Sequence, residues 1–137
     1  MRKKFKRDIN SLTEIFIFLD EFVAHHKLDE SISFVLQLAV EEIFTNMVKY
    51  DVQNPSDIDI SLAQDADQVV IELFNPDAES FDIHQAKEYD PSLPLNKREP
   101  GGVGIHLVKK FINKIEYDYK DGISKITLIK YLEKPHV

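Results

Sequence analysis

Residues 34–50 read FVLQLAVEEIFTNMVKY and predict the central helix of the fold. Its apolar residues return with the spacing of an amphipathic helix, at Leu36, Val40, Ile43, Phe44 and Met47. We expect this apolar arc to pack against a sheet. Ser31 is placed to cap the start of the helix, and Tyr50 marks its approximate end.

Two polar residues of this helix lie on a second stripe. At about 100° per residue, Glu42 and Asn46 stack one turn apart, in line with Val35, Leu38 and Ala39. A carboxylate and a carboxamide beside apolar positions suit a hard cation held by oxygen ligands, with a carboxylate poised to accept a proton. The pair is therefore a candidate site.

A solvated helix side is the alternative interpretation of the same pair. Glu42 would then pair with Lys49 or Thr45, and Asn46 would be a surface residue. The neighbouring acid, Glu41, lies about 100° away around the helix and is the weaker candidate.

A second unusual stretch, residues 99–110, reads EPGGVGIHLVKK. It holds three of the four glycines of the chain, followed by a predicted helix to about Asn113. A helix start offers unpaired N–H groups and a partial positive charge, and glycine lets the backbone approach an anion closely. The stretch is thus a candidate phosphate site, with an ordinary flexible hinge as the alternative. It matches neither a P-loop nor a dinucleotide fingerprint.

The remaining pattern predicts an α+β two-layer sandwich, with an antiparallel or mixed sheet and helices on one face. The predicted order is strand 2–7, helix 11–26, helix 31–50, strands 58–62 and 69–73, a long loop, the glycine-led helix, and strands 114–119 and 125–132. Residues 75–100 show no sustained period and hold four of the six prolines. So long a loop is typical of a lid or binding loop. The 137 residues fit a single domain, 1–137.

Composition excludes several classes of function. A formal net charge of −7 and a pI near 5.2 argue against direct nucleic-acid binding, which needs a basic face. The basic segment Met1–Arg7 is expected to be a solvated edge strand or tail. With no cysteine, disulfides and thiolate metal sites are excluded. No apolar run reaches the ~18 residues of a membrane span, and no signal-peptide pattern follows the basic start, so we expect a cytoplasmic protein with no membrane partner.

Five aromatic residues of the two long predicted helices are most simply core, and a fraction of them could line a partner groove. They are Phe16, Phe18, Phe22, Phe34 and Phe44.

Together, the two stretches resemble a known family. The run AVEEIFTNMVKY (39–50) resembles the N-box, and PGGVGIHLVKKFINKIEYDY with KITLIKYL resembles the second glycine box and the closing strands, of the anti-sigma-factor serine/threonine kinases. These bacterial proteins belong to the wider ATPase superfamily of gyrase, heat-shock chaperones and sensor histidine kinases. DPSLPLNKREPGGVGIHLV is similar to the lid of that family. The resemblance covers about residues 34–132, with the two boxes about 55 residues apart.

The resemblance implies a role for each matching residue. Glu42 would be the general base that takes the proton of an attacking serine or threonine hydroxyl, and Asn46 would ligate the Mg²⁺ that bridges the ATP phosphates. Thr127 would lie near the adenine. The lid would close over the phosphates, which backbone amides would contact, at the glycine stretch Gly101, Gly102, Val103, Gly104 and Ile105.

The same resemblance implies a biological setting. ATP would donate a phosphoryl group to a small antagonist protein in a partner switch that regulates transcription, and a sigma factor could be a further partner. Related proteins form dimers. The alternative is a partner-binding module of the same fold that binds nucleotide weakly or not at all.

One box departs from the family pattern. After the second hairpin strand the family usually has Asp-x-Gly, in which the acid accepts a hydrogen bond from the adenine amino group. Here the chain reads LFNPDAESFD, so Asn75 takes the acid position and Asp77 that of the glycine; in another register, Asp77 with Ala78 stands in. Asn75 keeps a carbonyl oxygen but lacks the charge-assisted strength of an acid. A plain turn at Asn75-Pro76 is the alternative. The departure predicts weakened ATP binding.

Overall fold

The computed structural model describes residues 1–51, 53–76 and 102–132. Within these residues the chain forms five strands and three α-helices, with a short 3-10 turn at Ile9–Ser11. In chain order they are β1 (Arg2–Phe5), α1 (Leu12–His25), α2 (Glu30–Tyr50), β2 (Ile58–Asp65), β3 (Gln68–Pro76), α3 (Gly102–Phe111), β4 (Lys114–Lys120) and β5 (Ile123–Tyr131).

The five strands form one sheet in the order β1-β2-β3-β5-β4, and each neighbouring pair is antiparallel. Directly opposed residues of neighbouring strands share a face. On one face, pairs such as Leu73–Ile126 and Ile71–Leu128 are fully buried and form a single core with the helices. The predicted α+β sandwich, with an antiparallel sheet and helices on one face, is confirmed.

The start of α2 differs from the sequence-based prediction. Asp29, rather than Ser31, is the N-cap: its carboxylate accepts hydrogen bonds from the Ile32 amide at 3.0 Å and from the Ser31 hydroxyl at 2.6 Å. These two bonds, the hydroxyl's first, lower the pKa of the Asp29 carboxyl. An ionised acid at N-cap satisfies an orphan amide and complements the helix dipole, which favours the earlier start.

By length and composition α2 could cross a bilayer, although no such apolar run was expected. Half of its most apolar 18-residue window is buried within the fold. The five residues of its predicted apolar arc are all buried: Leu36, Val40, Ile43, Phe44 and Met47. This is the pattern of the core helix of a globular domain.

Strand β1 is the edge strand that the sequence predicts, but it is not a loose tail. Phe5 is 1% exposed and packs edge-to-face on Phe18, with ring centroids 5.6 Å apart. Of the five aromatic residues expected in the core, Phe34 is 62% exposed near the beginning of α2, so the prediction is wrong for this residue. The reason is that Phe34 lies off the arc of α2 that faces the sheet.

Candidate functional site

The two polar residues of α2 are brought together as their spacing predicts. Asn46 Nδ2 lies 3.4 Å from Glu42 Oε1, a long hydrogen bond that spans one helical turn. Asn46 is 3% exposed and Glu42 is half-buried. The alternative interpretation, in which Asn46 is a surface residue, is therefore wrong.

Burial raises the pKa of the Glu42 carboxyl above its ordinary value. The hydrogen bond from Asn46 and the charge of Lys49 act in the opposite direction, and Glu41 adds to the rise. Desolvation is the leading cause because a carboxylate loses hydration when it is taken out of water. A half-buried carboxylate whose proton affinity has increased in this way is suited to accept a proton from a hydroxyl.

The amide of Asn46 is oriented for an oxygen-seeking ligand. Its Nδ2 faces Glu42, which leaves Oδ1 directed elsewhere, and among the residues that the structure describes Oδ1 has no hydrogen-bond partner. Amide and carboxylate oxygens are the protein ligands that Mg²⁺ accepts, together with water and phosphate oxygens. The donor chemistry of the Glu42–Asn46 pair therefore fits a magnesium ion.

At the far end of β3, Asn75 is 5% exposed and lies directly opposite Ser124 of β5, which is 1% exposed. Both residues share the face of the sheet that carries the core, because the Leu73–Ile126 pair comes two residues earlier on the same side. The alternative interpretation of Asn75-Pro76 as a plain turn is wrong, since both residues belong to β3.

Arg7 connects Asn75 to α2. Its guanidinium donates Nη2–H to Asn75 Oδ1, Nη1–H to the carbonyl of Met47 at 3.3 Å, and Nε–H to the carbonyl of Ser56 at 3.1 Å. Arg7 is half-buried, so the expectation that the whole of Met1–Arg7 is solvated is wrong at this residue. Sequence reasoning missed Arg7 because its partners lie 40 to 68 residues away.

Asn54 makes a second connection between α2 and β3. Its Nδ2 donates to the carbonyl of Pro76 at 2.8 Å and to Asp51 Oδ2 at 2.9 Å, while its Oδ1 accepts from the Ser56 amide at 2.9 Å. The end of β3 is thus held beside the end of α2. This is the half of α2 that carries Glu42 and Asn46.

The predicted glycine-led helix is present as α3, which begins at Gly102 and packs against α2. Phe111, the last residue of α3, lines the same cavity of about 840 Å³ as Phe34 and Val35 near the beginning of α2. The first turn of α3 is therefore expected toward the later half of α2. Gly102, Val103, Gly104 and Ile105 have helical backbone, whereas Gly101, Asp77 and nearly all of the predicted lid lie outside the described residues.

Thr127 is separated from the other candidates. It lies opposite Glu72 of β3 and Glu116 of β4, one position out of step with the pairs that face the helices. Its side chain, 9% exposed, is therefore on the face of the sheet opposite to that of Asn75, and the structure does not bring Thr127 and Asn75 together. Ser124 is the β5 residue that shares the face of Asn75, and alternation along β5 could have indicated it.

Comparison with known proteins agrees with the family resemblance found in the sequence. A family model described as the histidine kinase-like ATPase domain matches residues 5–130. The chain is 24% identical over 121 residues to the serine/threonine-protein kinase BtrW of Bordetella bronchiseptica, covering 87% of this chain and 84% of that protein. It is 28% identical over 108 residues to the serine-protein kinase RsbW of Oceanobacillus iheyensis, covering 74% and 67%.

The fold is also similar to that in a solved structure, the SiaB-SiaC complex from Pseudomonas aeruginosa. The TM-score is 0.61 at 12% identity, with 96% of this chain and 89% of the matched chain covered. Similarity at this identity establishes the shared fold alone.

Proposed function

Because this chain belongs to the histidine kinase-like ATPase family, we propose that it is an ATP-binding serine/threonine protein kinase of the anti-sigma-factor type. It transfers a phosphoryl group to a small antagonist protein in a cytoplasmic partner switch, with a sigma factor as a further partner. The curated relatives BtrW and RsbW, which are named as kinases of serine or threonine, support the class of activity.

The observation that carries this proposal is the Glu42–Asn46 pair on α2. The carboxylate is half-buried, its pKa is raised, and the amide one turn away is buried with an oxygen left for a ligand. Asparagine and glutamate are mostly exposed in folded proteins, so a helix that buries one and half-buries the other departs from the usual pattern. A proton acceptor and a cation ligand, one turn apart, are what phosphoryl transfer to a hydroxyl requires.

In the proposed reaction, Glu42 receives the proton of the antagonist's serine or threonine hydroxyl. The hydroxyl oxygen forms a bond to the γ-phosphorus of ATP, the bond from that phosphorus to the β,γ-bridging oxygen breaks, and ADP leaves. Because burial raises its pKa, the Glu42 carboxylate has a greater driving force to accept the proton of the attacking hydroxyl.

Phosphate binding is proposed for two elements. Asn46 Oδ1 would hold Mg²⁺, which when bound would neutralise charge that develops on the phosphate oxygens. The backbone amides at the start of α3, over Gly102 to Ile105, would donate to those oxygens, as the free amides of a helix N-terminus do.

The second candidate is a partner-binding module of the same fold that binds nucleotide weakly. The hydrogen bond from Arg7 to Asn75 favours it, because the oxygen expected to accept from adenine already accepts from a cation. The two candidates differ in whether Mg-ATP binds and whether phosphate is transferred.

Titration calorimetry with Mg-ATP, followed by transfer from γ-radiolabelled ATP to a purified candidate antagonist, separates them. The kinase proposal expects binding and transfer, with transfer lost in Glu42→Ala and retained in Glu41→Ala, the exposed acid one position earlier. ATP binding by wild type without transfer to any cognate antagonist would refute the kinase and leave the binding module.

A further inference from the structure

We propose that Arg7 and Asn75 set the base preference of the nucleotide site, by presenting an amide N–H donor where adenine would need an acceptor. This inference rests on the proposed nucleotide site with the base beside Asn75. It predicts that the protein accepts an oxopurine, such as hypoxanthine or guanine, at least as well as adenine. The pair would thus act as a specificity determinant, with Arg7 as the positioning residue.

The orientation of the Asn75 amide follows from the chemistry of its partner. Arginine carries only donors, so the atom of Asn75 that meets the Arg7 guanidinium has to be the oxygen Oδ1. The nitrogen Nδ2, with its two N–H groups, is then turned away from Arg7. Nδ2 has no hydrogen-bond partner in the part of the chain that the structure describes. It is a donor that remains available to a ligand.

Arg7 is itself held in place, so it cannot readily follow a rotation of the amide. Two further hydrogen bonds anchor its guanidinium to the carbonyls of Met47 and Ser56. If the Asn75 amide turned over, its N–H groups would face the N–H groups of Arg7. Donors facing donors in a site where Asn75 is 5% exposed would lose a hydrogen bond and leave polar groups unsatisfied.

The two kinds of purine differ at the edge in question. Adenine presents an amino group, which donates, whereas hypoxanthine and guanine present a carbonyl oxygen, which accepts. A carboxylate at position 75 would accept from the amino group in any rotamer. The amide fixed by Arg7 instead offers a donor, with a cation directly behind it. Both features oppose an amino group and favour a carbonyl oxygen.

The test measures binding of ATP, ITP and GTP by titration calorimetry to wild type and to Asn75→Asp, Arg7→Gln and Arg7→Lys. Wild type should bind ITP at least as tightly as ATP. In Asn75→Asp the ratio of the ATP affinity to the ITP affinity should rise by about tenfold. This is the effect of one hydrogen bond gained or lost in a site. Arg7→Gln should move it in the same direction, because glutamine can accept from the turned amide. Arg7→Lys, which keeps a cation, should leave the ratio unchanged.

Asn10→Asp serves as the matched control, since Asn10 is exposed and the substitution changes the charge equally. Thermal denaturation reports whether each variant folds, and Asn75→Asp alone decides the inference if the Arg7 variants do not. A wild type that prefers ATP over ITP by about tenfold or more, or an Asn75→Asp variant with the same preference as wild type, overturns the base preference and leaves the kinase proposal intact. Failure of every nucleotide to bind overturns both.

Discussion

The amide nitrogen of Asn46 lies 3.4 Å from the carboxylate of Glu42, one turn earlier on α2. The pair joins a buried amide to a half-buried acid on a helix whose other inward positions are apolar. Each group changes the other: the amide lowers the pKa that burial raises, and the carboxylate orients the amide. This mutual arrangement leads to two of the predictions that follow.

Glu42→Gln should raise the thermal stability of the protein at neutral pH. Burial raises the pKa of Glu42 in the folded state, so its contribution to stability is fully present below the pKa of the unfolded chain and is lost as pH rises through the folded pKa. A neutral glutamine avoids that loss. The expected gain in Tm is a few degrees, because a half-exposed group is partly screened.

The same comparison of Tm below about pH 3, which is well under the ordinary glutamate pKa of about 4.3, should show no gain from Glu42→Gln. Glu41→Gln, on the exposed side of α2, is the control and should show no comparable pH-dependent gain. A Tm of Glu42→Gln that lies below wild type at neutral pH would show that the carboxylate stabilises the fold instead.

Asn46→Ala should weaken Mg-dependent ATP binding, because it removes both the proposed oxygen ligand and the partner that orients Glu42. We expect the Mg-ATP affinity to fall by about tenfold or more. Asn10→Ala, the same substitution at an exposed position, should bind as wild type does. Equal calorimetric affinities of Asn46→Ala and wild type for Mg-ATP would remove the metal assignment.

Phe5→Ala should lower the free energy of unfolding by about 3–5 kcal/mol, the usual cost of a phenylalanine deleted from a core. The reason is that Phe5 is 1% exposed and packs edge-to-face on Phe18. Lys4→Ala, exposed on the same strand, should change it by no more than about 0.5 kcal/mol. Urea denaturation measures the free energy of unfolding of both variants. Equally small changes in the two would mean that β1 is a loose tail after all.

Arg2→Ala should lower Tm more than the double variant Arg2→Ala/Asp59→Ala. The Arg2–Asp59 ion pair spans 2.8 Å, and the side chain of Asp59 is only 10% exposed while that of Arg2 is 58% exposed. The second carboxylate oxygen of Asp59, Oδ1, already has no hydrogen-bond partner within the described residues. Loss of Arg2 alone therefore leaves a buried carboxylate uncompensated. Additive effects of the two substitutions, measured as a thermal double-mutant cycle, would exclude this coupling.

Thr127→Val should leave ATP affinity within about twofold of wild type, because Thr127 lies on the face of the sheet opposite to that of Asn75 and pairs with Glu72. Ser124→Val should weaken it, because Ser124 lies opposite Asn75 on the core face and the added methyl groups reach toward the proposed base. Calorimetry with ATP compares the two. A larger loss in Thr127→Val would place the nucleotide on the other face.

Much of the fold could be predicted from the sequence because it depends on local periodicity. The apolar arc of α2 and the alternation of β2 and β3 fix which side chains are buried, and all three elements are found where those patterns place them. Periodicity defines the first and last residues of these elements less closely. Asp29 replaces Ser31 as the cap because a carboxylate can accept from an amide and a hydroxyl together.

Only some residues of the candidate site could be predicted from the sequence. Glu42 and Asn46 could be paired from their spacing alone, since residues four apart on a helix are neighbours. Arg7 could not, because nothing local links it to Asn75. Alternation along β5 indicates the face of Ser124, but not that Ser124 lies opposite Asn75. In the sequence, Arg7 is one more charge in a basic segment, and the family resemblance points to Thr127 as the candidate on β5.

By itself, the sequence determined the helices and strands, the inward face of α2 and the pairing of Glu42 with Asn46, since these follow from the repeat distances of regular backbone. Only the tertiary structure decided which face of β5 meets Asn75 and that Arg7 captures the Asn75 oxygen. Those contacts join residues 49 and 68 positions apart. They exist because strand register and core packing bring distant backbone together, and no local pattern encodes that approach.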